Sequence, residues 1–170
     1  TQLHPMYSEG IYVGYRYFDS FGVKPLYPFG YGLSYTDFEL KTVCACADWE
    51  KTSLTVQVTN TGKCYGKEVV QLYVTAPGGK LEKPHQELKA FAKTHLLKPG
   101  ESQELTLEVA TSQLASFDEC RSAWIMEPGN YLLRVGNSSV DTTVAATIQL
   151  DGEAVVSKVT DILAVDVPIE

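Results

Sequence analysis

The sequence predicts an all-β fold, a sandwich of two sheets with seven or eight strands. Between residues 38 and 150, short runs alternate apolar with polar residues at period two, the pattern of strands that bury one face. Turn residues such as Asn60-Thr61-Gly62 and Pro77-Gly78-Gly79 separate these runs at short intervals, as in antiparallel sheets. With 170 residues the chain can bury a substantial core without the help of disulfides.

The predicted strands follow one another with turns between them. They are residues 38–46, the runs Leu54-Val56-Val58 and Val70-Leu72-Val74, residues 88–96, the run Leu105-Leu107-Val109, Trp124-Ile125, the run Tyr131-Leu133-Val135, and residues 144–150. A short helical turn is predicted at residues 111–113. Four residues at the centres of alternating runs are expected to be buried in the core: Val56, Leu72, Leu107 and Val135.

A further strand is predicted before the sandwich, at residues 10–18. Ile11, Val13, Tyr15 and Tyr17 follow period two, and large groups lie on both faces. Such a strand needs a partner, because unpaired buried peptide groups cost about 1–3 kcal/mol each. We expect it to pack on the sandwich of its own chain, or to pair with a second copy across a two-fold axis as a homodimer.

The segment at residues 27–35, here called the aromatic junction, connects this strand to the sandwich. Five of the 13 glycines and seven of the ten tyrosines lie between Tyr7 and Tyr35. Pro28 restricts the backbone, Gly30 permits a bend or a close approach, and the aromatic residues add large rigid surfaces. This composition predicts a place where the chain passes from one packed unit to the next.

The tail at residues 151–170 lies beyond the predicted sandwich. Its apolar residues fit a short amphipathic helix better than a strand. They are Val155, Val156, Val159, Ile162 and Leu163. A tail or linker is therefore predicted here, containing a short helix.

Several motifs together resemble one known protein family. They are EGIYVGYRYFD at 9–19, PFGYGLSY at 28–35, GKEVVQLYV at 66–74, KPHQELKAF at 83–91, LKPGE at 97–101 and EPGNYLLRVGNSS at 127–139. This set resembles the fibronectin type III-like domain of family 3 glycoside hydrolases, the β-glucosidase and β-xylosidase group. The resemblance implies an immunoglobulin-like sandwich at 27–150. It also implies that residues 1–26 are the last strand and linker of a preceding α/β domain that is not present in this chain.

The resemblance also implies a function. In this family the nucleophilic Asp lies in a barrel domain and the acid/base Glu usually in the following α/β domain, so no catalytic residue is assigned to this chain. The chain is then a non-catalytic structural domain of a retaining, β-glucosidase-like enzyme, and its partners are the barrel and α/β domains. The alternative is an independent carbohydrate-binding or interaction module, which predicts a planar row of exposed aromatic residues.

The chain's own carboxylates do not form an evident catalytic pair. On an extended strand, at ~3.3 Å per residue, Glu9 and Asp19 would lie ~30 Å apart, too far for glycoside hydrolysis. Asp118-Glu119 is expected in a solvated turn. Glu82 and Glu87 are expected in a structural loop, and the alternative is that this loop reaches over a neighbouring active site.

Other candidate binding residues are also given structural roles. His4, His85 and His95 lack the spacing of metal ligands, and we assign no metal and no cofactor. Trp49 and Trp124 could stack on sugars, but packing in the core or at a sheet edge is the expected role.

Composition excludes two classes of partner and favours free thiols. The net charge of −7 repels a phosphate backbone, and no apolar run approaches the ~20 residues of a membrane-spanning helix. Neither nucleic acid nor a membrane is expected as a partner. Of the four cysteines, Cys44 and Cys46 are badly placed to join each other. We expect free thiols, which favours a reducing compartment such as the cytoplasm, although two bridges remain an alternative.

Overall fold

The computed structural model describes residues 8–160, which form two packed sheets with a small third sheet. The helices are α1 (Tyr15–Phe21) and a short 3-10 helix (Thr111–Leu114). The strands are β1 (Phe38–Ala47), β2 (Lys51–Asn60), β3 (Val69–Thr75), β4 (Glu87–Lys93), β5 (Ser102–Ala110), β6 (Ser116–Asp118), β7 (Ala123–Met126), β8 (Gly129–Gly136), β9 (Thr142–Leu150) and β10 (Ala154–Lys158). The 3-10 helix includes the turn predicted at residues 111–113.

The sheets are antiparallel throughout the described pairs. One sheet has the strand order β1-β2-β5, the second has the order β4-β3-β8-β9, and the small sheet has the order β10-β7-β6. The apolar faces of β2, β3, β5 and β8 meet in one buried cluster. The all-β sandwich predicted from the sequence is therefore confirmed, with ten strands where seven or eight were expected.

The period-two pattern places the core residues as predicted. Every second residue of β2, from Thr52 to Asn60, is buried. The four residues chosen from the sequence are all buried, with 0% exposure at Val56 and Leu72, 2% at Leu107 and 4% at Val135. A register shifted by one residue would have turned these side chains to solvent, so the predicted register is correct.

The prediction of a strand at residues 10–18 is wrong, because α1 begins at Tyr15 and turns precede it. Gly10 and Gly14 have φ values of 56° and 61°, and this left-handed backbone interrupts an extended chain. Gly22 ends the helix with φ of 63°, the conformation preferred after a helix C-terminus. Helical spacing then places Tyr15, Phe18 and Asp19 on the half-buried side, which the alternation did not indicate.

The helix predicted in the tail is also wrong where the structure describes the tail. Residues 154–158 form β10, which pairs antiparallel with β7 and so extends the sandwich. Ala154 and Val156 pack against the core, and their separation by two positions is the spacing of a strand. Arg121 fixes the approach to β10 through ion pairs with Asp118 (2.6 Å) and Glu153 (2.7 Å). Ile162 and Leu163 lie outside the described residues.

The four cysteines are free thiols and exposed, as predicted. The register of β1 against β2 shifts between Thr42 and Cys44, next to two of these cysteines. Within residues 8–160, no helix is long and apolar enough to cross a membrane.

Candidate functional site

Helix α1 is fixed to the edge of the sandwich by Tyr15. The Tyr15 hydroxyl accepts a hydrogen bond of 2.8 Å from the Leu88 backbone N–H in β4. Its ring stacks on Phe29 at a centroid distance of 4.9 Å and meets the edge of Tyr73 in β3 at 5.9 Å. One side chain thus connects the helix, the aromatic junction and the four-stranded sheet.

A buried amide joins three segments beside this helix. Gln86, 2% exposed, donates from Nε2 to Asp19 Oδ2 at 2.9 Å and to the Ser139 carbonyl at 2.5 Å. The Ser139 N–H in turn donates to the Phe29 carbonyl at 2.8 Å. Helix α1, the loop before β4 and the loop after β8 are therefore held together at the start of the aromatic junction.

Gly30 allows the aromatic junction to lie close to β3. Its φ is 82°, and a side chain at this position would overlap the amide of Gln71. Gln71 is itself fixed, since Nε2 donates to the Asn137 carbonyl (2.7 Å) and Oε1 accepts from the Tyr73 hydroxyl (2.6 Å). Burial, together with the nearby Tyr15 and Asp19, raises the pKa of Tyr73 well above its ordinary value, so the hydroxyl remains a donor.

A buried ion pair fixes the loop that leads to Gln86. Lys83 pairs with Glu127, and both side chains are less than a tenth exposed. Glu127 also accepts hydrogen bonds from the N–H groups of Lys80 (2.7 Å) and Leu81 (3.3 Å). Burial alone would raise the pKa of Glu127, but these hydrogen bonds and the Lys83 ammonium outweigh it and hold the pKa below its usual range.

The aromatic junction is held to the sandwich at Phe29 and Gly30, but the side chains in and next to it are open to solvent. Leu26 is 88% exposed, Leu33 92% and Tyr35 97%. Tyr27, Phe29 and Tyr31 are also exposed, as are Val13, Tyr17 and Phe21 near α1. Large apolar groups that remain this exposed, some of them beside other rings, are typical of an interaction surface.

The carboxylates considered from the sequence have structural contacts. Asp19 binds Gln86, and Glu87 pairs with Arg16 (2.7 Å) and with Lys89 (3.0 Å). Asp118 pairs with Arg121, whose proximity lowers the pKa of that carboxyl. The expected solvated turn at Asp118-Glu119 thus contains an ordered ion pair. The extended strand that was expected to hold Glu9 and Asp19 apart is not formed, because residues 15–21 form α1, while Glu82 lies in the loop between β3 and β4 as expected.

The histidines and tryptophans are dispersed over the described surface. The His85 N–H donates to Ser20 (2.9 Å), His95 lies 3.3 Å from Glu101, and His4 is outside the described residues. Within residues 8–160, no group of three or more His, Cys, Asp or Glu residues is arranged to hold a metal ion. Trp124 packs beside Phe117 on the central strand of the small sheet but is 43% exposed, and Trp49 is largely exposed in the turn after β1. Neither tryptophan fits the expected packing in the core or at a sheet edge.

Sequence reasoning missed the residues that fix the junction. Gln71, Gln86, Lys83 and Glu127 have partners 44 to 67 positions away, so no local spacing reveals them. Most of these residues lie in two of the family motifs, KPHQELKAF and EPGNYLLRVGNSS. That position was the only sign in the sequence of their role.

Comparison with known proteins agrees with this architecture. Residues 68–139 match the family described as the fibronectin type III-like domain. β-Glucosidase A of Butyrivibrio fibrisolvens is 43% identical over 91% of this chain, which spans 21% of that protein. An exo-α-(1→6)-L-arabinopyranosidase of Bifidobacterium longum is 37% identical over 93% of this chain, which spans 21% of it.

Solved structures give the same result. β-Glucosidase 3B of Thermotoga neapolitana, in complex with α-D-glucose, superposes with a TM-score of 0.83 and 50% identity over 88% of this chain and 21% of the enzyme. A β-glucosidase of Paenibacillus barengoltzii gives a TM-score of 0.87 and 43% identity over 95% of this chain and 19% of the enzyme. The chain spans about a fifth of the length of these relatives. By fold, motifs and relatives, it belongs to the fibronectin type III-like domains of family 3 glycoside hydrolases.

Proposed function

We propose that the chain is a non-catalytic structural domain of a β-glucosidase-like, retaining glycoside hydrolase. In this proposal the aromatic junction is the surface through which the chain binds the catalytic barrel and α/β domains. The observation that carries the proposal is the cluster of exposed residues at 26–35, which is held to the sandwich at Phe29 by the Ser139 N–H and by the ring of Tyr15. A surface of this kind is costly in water and becomes favourable once another domain covers it.

The relatives support a role within a larger enzyme. Each is about five times as long as the stretch it shares with this chain, and the names of most describe hydrolysis of β-glucosides. Two relatives are instead named for an α-linked arabinopyranoside, so the sugar that the proposed enzyme cleaves is left open.

The other partner and function that the sequence suggested have less support. The homodimer through residues 10–18 depended on an unpaired strand edge, whereas the structure has a helix that packs on its own sandwich. The independent carbohydrate-binding module required a planar row of aromatic residues. Phe117 and Trp124 are inclined by 55°, so these two residues do not form a planar row, although a single exposed ring can still stack on one sugar.

An activity assay tests the proposal. The isolated chain should release no sugar from aryl β-glucosides or β-xylosides. The catalytic portion of the proposed enzyme, prepared without residues 1–170, should lose activity or stability and regain it when the chain is added. Turnover by the chain that disappears with a single carboxylate substitution would contradict the non-catalytic role. Full activity and stability of the catalytic portion alone would contradict the structural role.

A further inference from the structure

A second region of interest is a groove on the side of the sandwich, with a volume of about 780 Å³. It lies between the segment before and within α1, the strand β4 and the small sheet of β6, β7 and β10. Residues of the aromatic junction do not line it. A volume of this size suits a small organic ligand, for which binding sites are typically ~300–1,000 Å³.

The groove contains two large aromatic residues that the core does not use. Trp124 follows Ala123 and precedes Ile125, both buried, so strand alternation turns the indole away from the core. Phe117 lies directly opposite on β6, with its ring centroid 5.3 Å from that of Trp124. The two residues are 43% and 39% exposed, which leaves an apolar surface open to the groove.

The charges that line the groove favour an uncharged ligand. Two cations, Arg16 and Lys89, line it, and both are paired with Glu87. Glu82 and Glu119 add negative charge, and Glu119 forms no ion pair with any residue in the described part of the chain. Among the described residues that line the groove, an anionic ligand would therefore meet no free cation and would be repelled by the carboxylates.

The remaining polar groups can bind hydroxyls. Gln113, Ser112 and Glu119 are exposed at the groove, where an amide and a carboxylate offer several acceptors and the amide and hydroxyl also donate. A pyranose sugar combines an apolar ring face with a rim of hydroxyls, so it matches an aromatic surface bordered by such groups. The groove therefore offers both an aromatic surface for the ring face and polar groups for the hydroxyls of the same sugar.

We propose that this groove is a binding site for neutral pyranose sugars, with a sugar ring against Trp124 and its hydroxyls bonded to Glu119 and Gln113. The site lies outside the aromatic junction, and sugar binding by the isolated domain does not require docking on catalytic domains. The proposal therefore stands or falls separately from the structural role.

A titration monitored by NMR tests the site, because the two tryptophans give two indole N–H signals. With cellobiose or xylobiose in the millimolar range, the Trp124 indole and the amides of Gln113 and Glu119 should shift saturably. Trp49, exposed in the turn after β1, serves as the internal reference and should not shift. Sorbitol has hydroxyls but no ring and should produce no saturable shift. The proposal is overturned if neither disaccharide shifts the Trp124 signal saturably, or if sorbitol shifts it equally.

Substitutions provide the second readout. Trp124→Ala should weaken disaccharide binding at least about tenfold, as for truncation of an aromatic anchor, while Trp49→Ala should leave it unchanged. Glu119→Gln should also weaken binding. Because Glu119 is exposed, this variant should fold even if Trp124→Ala does not. Leu33→Ser/Tyr35→Ser should bind sugar as the natural chain does. Unchanged affinity in both groove variants would overturn the site.

Discussion

At the scale of single residues, the junction depends on buried polar groups with specific partners. Gln71 and Gln86 each bridge segments that are distant in sequence, and each amide has a defined orientation because its partners are carbonyl or carboxylate oxygens and a tyrosine hydroxyl. Loss of one partner would leave the other group buried and unsatisfied, which costs more than the net value of the bond. These residues therefore determine the geometry of the exposed surface without belonging to it.

Gly30→Ala should destabilise the fold by about 1–3 kcal/mol, because Gly30 has a positive φ and lies against Gln71. Urea unfolding measures the effect. Gly32→Ala is the matched control, since Gly32 has no positive φ and open space around its Cα. Equal stability of the two variants would show that the close approach at Gly30 is not required.

Glu127→Gln should cost about 3 kcal/mol, because it removes the charge that compensates buried Lys83. Glu108→Gln, which removes an exposed ion pair with Lys51, is the control and should have a much smaller effect.

The pH dependence of stability follows from the lowered pKa of Glu127. A carboxyl whose pKa is lower in the folded state stabilises the fold above its unfolded pKa, and this stabilisation is lost as the pH falls towards the folded pKa. Chemical unfolding of the natural chain should therefore show stability falling as the pH drops below ~4.5. Glu127→Gln should lack part of this dependence, and an identical pH profile in both proteins would exclude Glu127 as a source.

At the scale of elements, α1 acts as a strap across β3 and β4 rather than as a strand. Its seven residues include no buried residue, so packing alone holds it weakly. Hydrogen bonds of Tyr15 and Asp19 and the ion pair of Arg16 compensate for this weak packing. They hold the helix on the sandwich although apolar groups beside it are exposed.

Tyr15→Phe should loosen α1 while the sandwich remains folded. The substitution removes the acceptor for the Leu88 N–H and should cost about 1 kcal/mol. Hydrogen exchange should then increase at residues 15–21 and at Leu88. Tyr17→Phe is the control, since Tyr17 is exposed and its ring lies beside Phe18 and Phe21 within the same helix. Equal exchange in both variants would contradict the proposed anchor.

The elements differ in how far the sequence predicts them. The central strands were predictable because burial on one face requires period two, and Val56 and Leu107 follow it. The run at residues 10–18 also follows period two, but the positive φ of Gly10 and Gly14 outweighs that pattern. The spacing of Val155 and Val156 with the apolar residues that follow favoured a helix, which is wrong. The pairing of this segment with β7, a non-local contact, determines that it is a strand.

At the scale of the whole molecule, the chain presents two surfaces with separate chemistry. The aromatic junction is an extended apolar surface and suits another protein domain. The groove beside Trp124 is bordered by hydrogen-bonding groups and suits a small polar ligand. The sandwich between them is a rigid support, since its core residues are almost completely buried.

Calorimetric binding of the chain to the catalytic portion of the proposed enzyme tests the central claim most directly. The natural chain should bind with a negative heat-capacity change, the mark of apolar surface being buried. Leu33→Ser/Tyr35→Ser should weaken binding at least about tenfold, since it truncates two exposed groups of the interface. Trp49→Ser removes another exposed aromatic residue, in the turn after β1, and should bind as the natural chain does. No binding by the natural chain, or equal binding by all three, would contradict docking through the aromatic junction.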